Sequence, residues 1–264
     1  MSLKGTYNDI PASDLKQFLE EKYLLYNTPS FIEHDPILIP HSFNDDKDRE
    51  IAGFLGATIA WGRRDLILRS ARRLMDLMEN APYDFIINAD DADLSRFSGF
   101  VHRTFNGYDC ISFLKGLKQI YTDFDSMEDI IITEMQNERS LRKGLSGLRK
   151  RFFSFPHEKR SEKHFADVMS GASGKRLNMF LRWMVRNDNR GVDFGIWKKI
   201  KPSELYIPLD LHSGNTARKL GILQRKVNDW KAVEELTEVL KRFDPADPVK
   251  YDFALFGLGV YEKF

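Results

Sequence analysis

The amino-acid sequence predicts an all-α fold, and three observations predict it. The clearest period in the chain is helical: Leu177, Phe180, Leu181, Met184 and Val185 fall at i, i+3, i+4, i+7 and i+8, one face of a helix. Helix-start chemistry recurs ahead of apolar segments, as at Asn106-Gly107 with Asp109, at Ser126 with Asp129, and at Asp247-Pro248. No long alternation of apolar and polar residues argues for a sheet.

Taken in order, Ser13 is expected to cap a first helix burying Leu15, Phe18, Leu19 and Tyr23. Residues 31–43, with Pro36 and Pro40 inside and Pro29 just before, read as an extended connector. A helix is predicted from Asp45 or Asp46 to Trp61-Gly62. A second runs from Arg63 to about Asn80 with Leu66, Ile67, Ser70, Leu74 and Leu77 on one side. Asp109 is expected to cap a helix reaching about Tyr121, and the Ser126–Asp129 box to open one toward Gln136. Residues 140–156 read as an exposed basic segment, and Pro156 as the start of a helix ending near Met169. The helix behind Lys175 places Asn178, Arg182 and Arg186 opposite its apolar face, and residues 187–195 break it. The last helices are predicted at Ser213–Leu220, Asp229–Arg242 and Pro248–Gly257, the last with Asp247 as acidic N-cap and proline at N1.

Composition narrows the function classes. The 264 residues are 42% hydrophobic and 30% charged, the balance of a globular chain able to build its own core. With Cys110 the single cysteine, neither an intramolecular disulfide nor a Cys-rich zinc or iron–sulfur site can be built. Met1 to Asp9 lacks the apolar core of a signal peptide, and no stretch approaches the roughly 18 apolar residues of a membrane span, so the expected compartment is the cytoplasm. Net charge is +1, yet residues 139–190 hold 14 Lys/Arg against 4 Asp/Glu, a net of +10 that leaves −9 for the remainder. Such asymmetry points to a polyanion-facing region containing Arg149, Lys150 and Arg151; a solvated helix face is the alternative.

Two strings carry chemistry. Met169-Ser170-Gly171-Ala172-Ser173-Gly174-Lys175-Arg176 is a run of small residues leading into a helix. Its turn amides and helix N-terminus suit a phosphate, with Gly171, Ser173, Gly174 and Arg176 as the contact residues. The helix dipole disfavours an ammonium group there, and a lysine amine kept neutral is a nucleophile. Ile207-Pro208-Leu209-Asp210-Leu211-His212 sets an acid just ahead of a helix, where its amides keep a carboxylate ionised for electrostatic or proton-transfer work. Each string alone also fits a plain structural role: a solvated lysine at a helical corner, an aspartate cap, a packed histidine.

Together the strings resemble the helix-hairpin-helix DNA glycosylase superfamily, whose members carry a hairpin of the form L-P-G-V-G-x-K, an amphipathic helix, and then V-D-T-H before another helix. Here the hairpin runs from Met169 to Lys175, with Ser173 at the second glycine position, and the later motif is Leu209-Asp210-Leu211-His212. Arg218-Lys219-Leu220-Gly221 is similar to the R-L-G that often follows. The stretch from Gly56 to Asp65 resembles the family's helix–turn–helix near the damaged-base pocket, and that from Asp247 to Gly259 its last helix. The likeness covers the chain from about Asp46 onward and looks closest to an uncharacterised bacterial branch, somewhat like archaeal 8-oxoguanine glycosylases.

The resemblance implies two helical lobes with a cleft between them: residues 46–200, ending in the hairpin and Lys175 helix, and residues 1–45 plus 201–264. It implies a DNA repair glycosylase with AP-lyase activity acting on double-stranded DNA with a damaged base. Lys175 would attack C1′ of a flipped-out nucleoside and form a Schiff base, assisted by Asp210. Thr58, Trp61 and His212 become base-pocket candidates; Trp183 and Trp197 read more readily as core. No cofactor, metal or membrane is implied. The alternatives are a nucleic-acid binder that keeps the fold without catalysis and a helical protein unrelated to nucleic acid.

Overall fold

The computed structural model describes residues 11–135 and 140–264. The sequence expectations at Met1–Asp9, Gln136 and Arg139 lie outside the described residues. The chain divides into two compact units: unit 1 is Met1–Phe31, Gly171–Phe194 and Lys201–Phe264, and unit 2 is Ile32–Ser170 with Gly195–Ile200. The division differs from the sequence-based one in two places. The Lys175 helix groups with the C-terminal helices, and residues 32–45 group with the segment that follows them. The ion pairs of Arg182 and Arg186, described below, account for the first difference.

Unit 2 holds α2 (Asp46–Thr58), α3 (Arg64–Leu77), α4 (Pro82–Asn88), α5 (Asp91–Ser95), α6 (Gly107–Asp123), α7 (Met127–Met135) and α8 (Leu141–Phe152). Asp45 caps α2 by accepting the N–H groups of Lys47 and Asp48, as its position predicts. From Glu50 to Thr58 every residue of α2 is buried. A two-stranded antiparallel hairpin, β1 (Val101–His102) with β2 (Phe105–Asn106), leads into α6. The cap there is Asn106, with Asp109 answering it at N3 in a capping box. Phe54, Phe113, Phe152 and Phe165 form the centre of the unit, their rings 5.0–6.1 Å apart.

Three expectations are corrected in unit 2. Residues 140–156 are largely a helix: α8 buries Leu141, Leu145, Leu148 and Phe152, at i, i+4, i+7 and i+11, with Ser140 accepting the Lys143 N–H as its cap. Gly144 and Gly147 let α8 lie against α7; a Cβ at Gly144 would stand 2.7 Å from Ile131 Cγ2. The segment after Pro156 is not an α-helix but a 3-10 helix at Lys159–His164 followed by turns. Arg149 takes the Phe165 carbonyl and Arg142 the Val168 carbonyl, so these backbone acceptors are satisfied from α8. Residues 31–43 coil through 3-10 turns, among them Pro36–Leu38 and Pro40–Ser42, each with proline opening the turn.

Unit 1 holds α1 (Ala12–Tyr26), α9 (Lys175–Val185), α10 (Leu211–Lys219), α11 (Trp230–Phe243) and α12 (Tyr251–Val260). Helix α1 starts at Pro11 without a side-chain cap, in place of Ser13, and buries Leu15, Leu19 and Tyr23. It packs on α12, as does α10. Asp247 does not cap with its side chain; its carboxylate is bound by Arg186 instead. The largest correction concerns α9. Its apolar face is buried as its period predicts, but Asn178 and Arg182 opposite are buried too, as is Arg186 just beyond its end, all at 3% exposure or less. Among the described residues the whole protein is mainly helical, and no helix is long and apolar enough to cross a membrane.

Candidate catalytic site

Gly174 sets the entry to α9. Its φ of +61° lies in the left-handed region that glycine adopts without strain, and no side chain caps the helix it opens. Gly171 also has positive φ, at +92°. Between them Ala172 bridges Asp229, and the Trp230 N–H donates to the Gly171 carbonyl at 2.9 Å. Asn178, one turn into α9, donates its Nδ2 to the Ser173 carbonyl at 3.2 Å. The hairpin is therefore tied at both ends, and Lys175 stands at the first helical position.

Asp210 is the N-cap of α10, with its Oδ1 accepting the Ser213 N–H at 2.8 Å. The cap fixes the carboxylate rotamer and leaves Oδ2 for another partner, and that partner is Lys175, Nζ to Oδ2 3.3 Å. The Lys175 side chain is 33% exposed and that of Asp210 12%, so the pair is reachable from solvent. The Asn228 amide donates to the Asp210 carbonyl, holding the motif from α11's approach. The structure thus brings together, from 35 residues apart, the two residues singled out by sequence.

A third acid joins them that sequence reading missed. Asp252 on α12 is nearly buried and is held by Arg182. Burial pushes its carboxyl up to about 6; Arg182 opposes this, Asp210 adds to it, and Lys175 opposes it. Arg182 also pairs with buried Asp193, and Arg186 binds Asp193, Asp188 and, through two nitrogens, Asp247. The signal was present: an acid inside the apolar run Tyr251-Asp252-Phe253-Ala254 has to be paired, and Arg182 and Arg186, four apart on a buried helix, are its complement.

The other candidates fall differently. Arg176 is half-buried, and burial holds its guanidinium down to about 10. His212 is exposed on α10, where a Cβ at Gly259 would lie 3.0 Å from its own Cβ. Thr58 and Trp61 belong to unit 2. Thr58 is buried at the end of α2, and Trp61 stacks on His164 at 5.6 Å with His102 edge-on at 5.1 Å. Burial pushes the His102 imidazole down, and His164 lies 3.3 Å from fully buried Asp109. Trp183 and Trp197 are core residues.

The basic stretch gives up much of its charge to internal partners. Arg149 is 20% exposed and donates to Glu162 at 2.7 Å as well as to Phe165; Arg151 pairs with Asp123 at 2.9 Å. Arg160 binds Asp109, and Arg190 donates to the carbonyls of Asn27 and Leu24. Lys150 is exposed. Among the described residues no group of three or more His, Cys, Asp and Glu side chains is arranged to hold a metal ion.

No curated protein and no solved structure matches the chain. Residues 35–261, a span that takes in Lys175, Asp210 and Asp252, match the family described as Protein of unknown function (DUF2400), and the chain belongs to that family.

Proposed function

We propose that the protein is a DNA repair glycosylase with AP-lyase activity, carried on a helix-hairpin-helix glycosylase-like fold. The observation that supports this best is the Lys175–Asp210 pair, with Nζ 3.3 Å from Oδ2 and both groups open to solvent at the starts of α9 and α10. In this reading double-stranded DNA delivers a flipped-out damaged nucleoside to the pair. The Lys175 amine forms a bond to C1′ as the C1′–N bond to the base breaks, and the base leaves with a proton. Asp210 holds the opposing charge and relays the proton lost by the amine. Ring opening gives an imine between Nζ and C1′, and β-elimination then breaks the 3′ C–O bond. The first turn of α9, which no side chain caps, suits a backbone phosphate, and exposed Lys150 on α8 a second.

Borohydride trapping on a panel of lesion-containing duplexes tests the reading. A covalent protein–DNA adduct is expected with the right lesion, and Lys175→Gln should abolish it while the fold persists. Asp210→Asn keeps the cap to Ser213 and should cost about 1 kcal/mol or less in stability, with turnover reduced about a hundredfold or more. An adduct undiminished in Lys175→Gln makes another amine the nucleophile. Duplex binding without trapping across the panel favours a non-catalytic binder.

A further inference from the structure

Asp210 is one of two carboxylates in the electric field of Lys175. The other is Asp252, second residue of α12, whose side chain is 8% exposed and bound by Arg182. Helix geometry explains its placement. Lys175 and Arg182 are seven residues apart on α9, close to two turns, and so share a face. Arg182 binds Asp252 at that face, while the packing of α10 on α12 brings Asp210 to the same place. The carboxyl of Asp252 responds to both members of the pair, raised by Asp210 and lowered by Lys175.

The geometry points to Asp252 as a positioning residue for the Lys175–Asp210 pair: a buried carboxylate, anchored by Arg182, that adds a second negative charge facing Lys175 and so governs how readily its amine is released. The inference rests on Lys175 being the nucleophile of the proposed reaction; Asp252 itself is not placed against substrate. Its charge is not cancelled by its own partner. Arg182 is shared with Asp193, and Asp193 with Arg186, so two guanidiniums face four carboxylates, those of Asp188, Asp193, Asp247 and Asp252. Nearby titratable groups are engaged elsewhere. On α1, Glu20 binds Tyr251 and Lys250, Tyr23 binds Asp188, and Lys22 and Tyr26 bind Glu262. His212 on α10 lies along α12 at Gly259.

Two measurements without DNA test this. Competitive labelling with trace acetic anhydride, read by mass spectrometry, gives the pH profile of the Lys175 amine. Asp252→Asn removes one negative charge and should move that profile to lower pH, with about tenfold more label on Lys175 at a fixed neutral pH. Because Asp252→Asn also breaks a buried ion pair, the reciprocal variant is Lys175→Met, at a side chain one-third exposed. There the Asp252 carboxyl, followed by carbon NMR, should titrate higher than in wild type by the same interval, since coupling between sites is mutual. An unchanged profile in folded Asp252→Asn, or an unchanged Asp252 midpoint in Lys175→Met, overturns the inference; if Asp252→Asn does not fold, the second measurement decides. Both shifts seen with no trapping on any lesion would keep the coupling and remove the glycosylase reading. Trapping without either shift would remove only the role of Asp252.

Discussion

Unit 2 closes around rings, with Phe113 and Phe152 at 5.0 Å and Phe54 and Phe165 beside them. Unit 1 also buries aromatic residues, among them Trp183, Trp230 and Phe253, but two guanidiniums run through its interior. Arg182 and Arg186 lie over the Phe253 ring and bind four carboxylates. The two interiors constrain their helices differently. Ring contacts are broad minima, and a shifted ring finds new neighbours at little cost. Each guanidinium N–H needs an oxygen along its own direction, so a network of them fixes the rotation and height of the helix that carries it. In unit 1 that helix is α9, and its first residue is Lys175. The ionic interior thus sits where an amine has to meet a carboxylate within a few tenths of an ångström.

The largest effect that separates the two interiors is expected from Arg186→Met. It leaves Asp193 and Asp247 without their main cation inside the protein, and should cost about 3–5 kcal/mol in urea unfolding. A loss below about 1 kcal/mol would mean that the network adds little and the apolar contacts of α9 suffice.

Next in size is a pH effect from unit 2, where a buried acid is met by hydrogen bonds rather than by a guanidinium. Glu50 accepts the Met127 N–H, with Trp197 and Tyr121 at its carboxylate, and burial pushes its carboxyl up to about 7. A folded value above the unfolded one means the native state holds the proton longer. The stability present below about pH 4.5 is therefore lost as pH rises through 7, by about 3 kcal/mol at most. Glu50→Gln removes this loss, so its stability relative to wild type should climb between pH 4.5 and 7.5. A difference that stays flat with pH would show that Glu50 ionises as it does in the unfolded chain.

The smallest effect separates two neighbours on α8. Arg149→Gln gives up Glu162 and the Phe165 carbonyl and should cost about 1–2 kcal/mol. Lys150→Gln should change stability by no more than about 0.5 kcal/mol, and should instead weaken duplex binding and flatten its salt dependence. Equal thermal shifts in the two variants would erase the distinction between a structural and a surface cation on this helix.

These neighbours also show what the sequence could convey. Periodicity and caps located α2, α6, α9, α10 and α11 within a few residues, because Asp45, Asn106 and Asp229 act on amides two or three positions away and need no distant partner. Helix α8 was hidden because its glycines and arginines read as loop chemistry, while both have tertiary uses: Gly144 and Gly147 admit α7, and Arg142 and Arg149 reach carbonyls beyond the helix. Charge counting likewise could not distinguish Arg149 from Lys150. In the site, Lys175 and Asp210 were legible because each begins a helix. Asp252 was not, since its role comes from Arg182, 70 residues earlier, and no local pattern encodes that pairing.

The same long-range pairing bears on the order in which the chain becomes native during synthesis. Unit 2 is nearly continuous, residues 32–170, with the short return of 195–200. Unit 1 is assembled from three separated pieces, and Arg186 is complete only when Asp247 has been made. Closing such loops is slow, and domains made first tend to fold first. Unit 2 should therefore be largely collapsed while α9 still carries two guanidiniums without their full set of acids. The helix bearing Lys175 would be among the last parts of the protein to lock, so a ribosome-bound chain stopped before Asp247 should be protected from proteolysis across α2–α8 and cut readily within α9.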